Sequence, residues 1–148
     1  MELIVYYKNF LELCKDDVYT LFYFWEPEII RTWRNSGVEY ERTWCQEALD
    51  FAYRVIKIGF MGIDYPDGDP TQEEINYIFA QMSQNTPNNI DGFAIWSSYQ
   101  LYLSDKGRDF LESCENSQIN NTFNKRLVNI LDINHVGFDK RGFVPIIF

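Results

Sequence analysis

The sequence predicts one α+β domain over residues 1–148, mainly helical and with a small antiparallel sheet. A chain of 148 residues that is 46% hydrophobic and 24% charged is long enough to bury a core and unlike a disordered segment. Most of its apolar residues recur at helical spacing. Three stretches have the pattern of strands and would supply the sheet: Ile58–Ile63, Phe93–Leu103 and Phe143–Phe148.

The N-terminal part of the chain predicts short helices. Residues 2–14 place their apolar side chains on one helical face, although Leu3–Tyr7 alone also has the pattern of a strand. Asp16 or Asp17 can cap a second helix that continues through Phe24. Glu28–Arg34 would then form about two further turns.

The strongest helical pattern follows. Ser36 and Glu39 have the spacing of a capping box, in which two orphan backbone donors are satisfied reciprocally. Six apolar residues then recur on one helical face: Tyr40, Trp44, Ala48, Phe51, Ala52 and Val55. The other face is charged and is predicted to be solvated: Glu41, Arg42, Glu47, Asp50 and Arg54.

Between Lys57 and Lys106 the chain contains no Lys or Arg. Seven acidic residues lie in this interval: Asp64, Asp67, Asp69, Glu73, Glu74, Asp91 and Asp105. After the predicted strand Ile58–Ile63, Tyr65–Gly68 has the composition of a tight turn. Asp69 would cap the next helix, Asp69–Gln84, with Pro70 at its first position.

The remaining elements follow from alternation and caps. Along Phe93–Leu103, alternation places Trp96 and Tyr102 on the face opposite the apolar one, in one strand or a hairpin. Ser104 can cap a helix through Cys114, and a last helix covers about Ile119–Leu131. Pro145 predicts that Phe143–Phe148 is an edge strand.

The net charge of −9 is regional. Residues 1–92 hold 16 acidic and 7 basic residues, and residues 93–148 hold 6 of each. Such a field repels nucleic acid and anionic membranes, and it attracts cationic proteins with fast, salt-dependent association. The same charge would also keep an aromatic-rich chain soluble, so both explanations stay open.

No residue pattern predicts a cofactor, and the metal patterns fail. An EF-hand loop starting at Asp67 would place Gln72 where glycine is needed and Ile78 where glutamate is needed. Magnesium held by two carboxylates of this region stays an alternative. His135 has no second His nearby, which argues against zinc.

The three cysteines, Cys14, Cys45 and Cys114, form no CxxC pair, and this spacing predicts reduced thiols. Because no signal peptide is recognisable either, we expect a soluble cytoplasmic protein. A small enzyme would need a Cys–His pair or convergent carboxylates in a pocket, and no familiar catalytic motif surrounds these residues. We therefore predict a protein that is not an enzyme.

Tyr99–Leu111 resembles the strand-then-helix segment that closes many winged-helix regulators. In those proteins a basic recognition helix precedes it. Here the preceding helix, Asp69–Gln84, contains two glutamates and no base, and it would repel DNA phosphates. This argues against DNA binding through that helix. The alternative functions are a winged-helix-like transcription regulator and a small uncharacterised enzyme.

Residues 40–103 show a second resemblance, carried by four features in order. These are an aromatic helix (Trp44, Phe51, Tyr53), the run Ile58–Gly62, an acidic turn and helix, and the aromatic stretch Phe93–Trp96. In a small acidic chain this order resembles the immunity proteins of bacterial contact-dependent growth inhibition and polymorphic-toxin systems. The resemblance implies binding and neutralisation of a cognate toxin domain, often a basic nuclease.

Electrostatics and interface composition predict a binding surface independently. Carboxylates steer a cationic partner, and Trp or Tyr at the desolvated centre supplies much of the binding energy. The predicted charged rim consists of Asp64, Tyr65, Asp67, Asp69, Glu73 and Glu74, and the predicted anchors are Trp96 and Tyr102. This surface requires the acidic turn and the aromatic strand to be neighbours.

Overall fold

The computed structural model describes residues 3–25, 39–116 and 122–148. In these residues the helices are α1 (Leu3–Leu13), α2 (Arg42–Lys57), α3 (Gln72–Gln84), α4 (Ile90–Ser97), α5 (Asp105–Glu115) and α6 (Thr122–Ile133). The strands are β1 (Tyr19–Thr20), β2 (Met61–Ile63) and β3 (Gln100–Leu103). The predicted α+β class, mainly helical with a small antiparallel sheet, is confirmed.

The sheet has the order β1-β3-β2, and both pairings are antiparallel. Predicted strands Ile58–Ile63 and Phe93–Leu103 each contain one of its strands. The prediction of a third strand at Phe143–Phe148 is wrong, because that segment has no strand pairing. The third strand is Tyr19–Thr20, whose residues pair with Leu101 and Gln100.

The predicted helix from Asp16 or Asp17 to Phe24 is also wrong. The chain forms β1 and then a single 3₁₀ turn, Leu21–Tyr23. Tyr and Thr are good strand formers, and pairing with β3 overrides the local helical pattern. The predicted helix Glu28–Arg34 lies outside the described residues.

Helix α4 occupies the first half of the predicted strand Phe93–Leu103. The side chain of Asn89 caps it by accepting a hydrogen bond from the backbone N–H of Gly92 at 2.7 Å. Trp96 is completely buried, and its indole N–H donates to the carbonyls of Asn85 (2.8 Å) and Met82 (3.2 Å). An eight-residue helix that is apolar on most sides shows little helical period, so alternation extended the strand too far.

The helix caps show one confirmation and two corrections. Ser104 caps α5 as predicted, with its hydroxyl accepting from the N–H of Gly107 at 3.0 Å. Helix α2 begins at Arg42 without a side-chain cap, so Glu39 is not at its third position, and Ser36 lies outside the described residues. Thr71, not Asp69, caps α3 through a capping box with Glu74.

The apolar stripe of α2 is buried as predicted from Trp44 to Val55, whereas Tyr40, the first residue of the predicted stripe, precedes the helix and is half-buried. Arg42 is exposed as predicted, but Glu47, Asp50 and Arg54 are buried. The prediction of a solvated face is wrong for these three, because they lie under the C-terminal segment, residues 136–148. Arg54 is 1% exposed and donates to Tyr7 Oη (2.8 Å) and to three carbonyls of that segment. Its guanidinium also lies 5.0 Å from the ring centroid of Phe138 and 5.1 Å from that of Phe143.

The carboxylates of the same α2 face hold the next part of the C-terminal segment. Asp50 is 1% exposed and accepts hydrogen bonds from the backbone N–H groups of Gly142 (3.0 Å) and Phe143 (3.2 Å). Glu47 pairs with the guanidinium of Arg141. Burial raises the pKa of Glu47, and the charge of Arg141 opposes that shift. The side chains of Glu47, Asp50 and Arg54 thus fix the C-terminal segment on α2, and we call these three residues the clamp.

We expect Arg54→Met to lower the free energy of unfolding by about 3 kcal/mol, because it leaves buried carbonyls and a phenol without their donor. Urea denaturation followed by circular dichroism measures this. Lys57→Met, at an exposed position of the same helix, is the matched control and should change stability by less than about 0.5 kcal/mol. Equal effects of the two variants would contradict the clamp.

Candidate interaction surface

The acidic turn, residues 64–74, begins where β2 ends. The N–H of Asp64 donates to the carbonyl of Gln100 at 2.8 Å, which continues the pairing of β2 with β3. The N–H of Gly68 then closes a turn onto the carbonyl of Tyr65 (3.4 Å), and its φ of +98° favours glycine. The turn exposes four carboxylates: Asp64, Asp67, Asp69 and Glu73.

Tyr102 lies beside the acidic turn, as the prediction requires. It pairs with Gly62 across the sheet, and its ring lies so close that a β-carbon at Gly62 would be 2.5 Å from Cζ. Its hydroxyl donates to Oδ1 of Asp69 at 2.5 Å. This hydrogen bond, helped by partial burial and the charges of Asp69 and Asp64, raises the pKa of Tyr102 to about 12.

The hydrogen bond between Tyr102 and Asp69 depends on the cap of α3. Because Thr71 caps the helix, the carboxylate of Asp69 is not used by the helix N-terminus and can accept from the phenol. The predicted cap by Asp69 is wrong, and a carboxylate used as a helix cap would not be expected to accept from Tyr102. The glycine inside β2 was the available signal, since an interior strand glycine marks close approach of another group.

Tyr65 and Glu74 form a second phenol–carboxylate pair. Interaction with the Glu74 carboxylate raises the pKa of Tyr65, and the charge of Asp67 adds to the effect. The N–H of Thr71 donates to Glu74 and is the main cause of its lowered pKa. Glu74 is thus engaged in the capping box, which leaves Asp64, Asp67, Asp69 and Glu73 as the exposed rim charges.

Trp96 does not belong to this surface, so its prediction as an outward-facing anchor is wrong. Its side chain packs in the core with ring centroids 5.9 Å from Trp44. Exposing it would break both hydrogen bonds of its indole N–H. Of the two predicted anchors, only Tyr102 is half-exposed and adjacent to the acidic turn.

The rim carboxylates have no salt-bridge partner among the described residues. Salt bridges formed there engage Glu12, Glu115 and Glu47 with Lys15 or Arg141, in other parts of the fold. No described Lys or Arg lies within salt-bridge distance of Asp64, Asp67, Asp69 or Glu73. The local negative charge is therefore not neutralised by the described side chains.

The other candidate groups are dispersed. Within residues 3–25, 39–116 and 122–148, no three His, Cys, Asp or Glu side chains are arranged to hold a metal ion. His135 lies in an exposed loop after α6. Burial raises the pKa values of Cys14 and Cys45 to about 12, which disfavours the thiolates a nucleophile would need.

No family model, curated protein or solved structure compared with the chain gives a match. None of the described helices combines the length and the apolar character that a bilayer-crossing segment needs. The strand-then-helix order predicted for Tyr99–Leu111 is present as β3 and α5.

We expect Asp69→Asn to lower the pKa of Tyr102 from about 12 toward the ordinary value for tyrosine, near 10. A neutral amide removes the negative charge that disfavours the phenolate. Titration of the tyrosine ring carbons by NMR measures the change. Asp132→Asn, at an exposed position in the last turn of α6, is the control and should leave Tyr102 unchanged. An unaltered Tyr102 pKa in Asp69→Asn would contradict the contact.

Proposed function

We propose that this protein is an immunity protein: a protein-binding inhibitor that neutralises a cognate, basic toxin domain such as a nuclease. The observation that carries the proposal is the acidic turn beside Tyr102. Four exposed rim carboxylates without a described cationic partner lie next to an aromatic side chain fixed on the sheet. The proposal also rests on the resemblance of residues 40–103 to such proteins.

The charge of the rim suits rapid capture of a cationic protein. Unpaired surface carboxylates attract a basic partner over roughly 8 Å at physiological ionic strength and raise the association rate. An inhibitor that must act before its target damages the cell benefits from fast association. Because the carboxylates remain solvated until binding, they contribute more to the association rate than to the final affinity.

The phenols supply the other part of the surface. The hydroxyl of Tyr102 donates its proton to Asp69, and interaction with Glu74 likewise raises the pKa of Tyr65. Towards a partner these side chains therefore present a flat apolar ring and an acceptor oxygen, which is the character of interface anchors. The ring of Tyr102 packs against Gly62 and its hydroxyl donates to Asp69. Because these contacts fix the side chain, little rotamer entropy remains to be lost on binding.

Growth protection tests the function. The gene next to that of this chain is first examined for a large secreted protein, and the C-terminal domain of any such protein is expressed alone or with this chain in a neutral host. We expect growth arrest with the toxin domain alone and restored growth with both. Continued arrest, with both proteins present in soluble form, would overturn the proposal for that pair.

Association kinetics test the surface. We expect Asp67→Lys, Asp69→Lys and Glu73→Lys together to lower the association rate with the toxin domain by at least about tenfold at low salt and to flatten its salt dependence. Stopped-flow fluorescence measures both.

The matched control for this test carries the same charge change elsewhere, at three exposed carboxylates: Asp16→Lys, Asp109→Lys and Glu112→Lys. It should retain most of the association rate. Equal slowing in the two triple variants would mean that only the net charge matters, and unchanged rates in the first would place the interface elsewhere.

A further inference from the structure

The small sheet has one buried and one open face. Alternation along β3 buries Leu101 and Leu103, whereas Gln100 and Tyr102 are half-buried on the other side. In β2 the neighbours of Gly62 are buried and Gly62 itself is not. Because paired residues share a face, the open sheet face consists of Thr20, Gly62, Asp64, Gln100 and Tyr102.

The open sheet face has Tyr102 at its centre and an electronegative rim. One side of the Tyr102 ring rests on Gly62 and its hydroxyl is committed to Asp69. The charges that act on the phenol come from Asp69 and Asp64, both carboxylates. With its proton donated to Asp69, the phenol offers lone pairs to an incoming group, and the carboxylates offer further acceptors.

We propose that the open sheet face is a docking surface for an arginine side chain of a basic partner protein, stacked on the ring of Tyr102 and paired with Asp64 and Asp69. A guanidinium is planar, carries donors in a fork that matches carboxylates, and stacks on aromatic rings. A lysine ammonium is compact and strongly hydrated, so it gains less from a flat ring beside two carboxylates. The proposal rests on the proposed function for the nature of the partner, and it adds the residue type that the partner presents.

The geometry makes Gly62 a determinant of this site. Any side chain at Gly62 would collide with Tyr102 atoms at 2.5 Å, so the ring would have to leave its position over the sheet. Displacing the ring would also break its hydrogen bond to Asp69, because both contacts are made by the same side chain. Gly62→Ala should therefore impair arginine binding without removing any charge.

Peptide titration tests the inference without the toxin. The ¹⁵N-labelled protein is titrated at low salt with hexa-arginine and, separately, with hexa-lysine. We expect hexa-arginine to bind about two- to fivefold more tightly, the factor that one exposed cation–π contact supplies. The largest amide shifts should fall at Asp64, Asp69, Gln100 and Tyr102.

Two variants and a control decide the outcome. Tyr102→Leu and Gly62→Ala should each abolish the preference for arginine, and Tyr77→Leu, which removes a tyrosine 61% exposed on α3, should retain it. The ¹⁵N spectrum of each variant shows whether it is folded, and the Tyr102→Leu result stands if Gly62→Ala does not fold. Equal binding of the two peptides to the unsubstituted protein, or shifts centred elsewhere, would overturn the inference. Growth protection in the co-expression assay would then still stand for the proposed function.

Discussion

The guanidinium of Arg54 is the interaction on which the rest of the structure depends. This buried group donates hydrogen bonds to Tyr7 of α1. It also donates to the carbonyls of Val136, Gly137 and Lys140 near the C-terminus. Removing a guanidinium from water costs several kcal/mol unless its donors are satisfied. Here the hydrogen bonds and the rings of Phe138 and Phe143 offset that cost. Both ends of the chain are thereby fixed on α2, and α2 leads directly into β2 and the acidic turn.

The clamp also determines which acidic residues act at the surface. Asp50 and Glu47 serve the C-terminal segment, and Glu12 and Glu115 share the ammonium of Lys15. These carboxylates contribute little to the field that a partner meets. The exposed carboxylates of residues 64–73 have no such cation among the described residues. Other exposed carboxylates, such as Asp16, Asp109 and Glu112, lie elsewhere on the surface, so the distinction of residues 64–73 is the density of carboxylates in a stretch without any base.

Local sequence patterns predict the elements whose positions depend on residues close in the sequence or on one buried face. The stripe of α2, the cap of α5 by Ser104 and the pairing of β2 with β3 follow from patterns within a few residues. The charged face of α2 could not be predicted in this way, because Arg54 and Asp50 bind carbonyls and N–H groups more than 80 residues away. Charged residues at helical spacing have the same pattern whether they face solvent or a segment with unsatisfied backbone groups.

The candidate surface also contains features that local sequence patterns do not predict. The alternation of apolar and polar residues predicts the outward position of Tyr102 correctly, because β3 is a strand. It fails for Trp96, because Trp96 lies in α4, whose sequence shows little helical periodicity. The role of Asp69 depends on which of two residues, Asp69 or Thr71, caps α3. Thr71 forms a reciprocal box with Glu74, whereas Gln72, the third residue after an Asp69 cap, donates instead to Asn76. That two-residue shift frees the Asp69 carboxylate for Tyr102 and joins the turn to the sheet, so the composition of a helix cap determines whether this surface has a fixed aromatic centre.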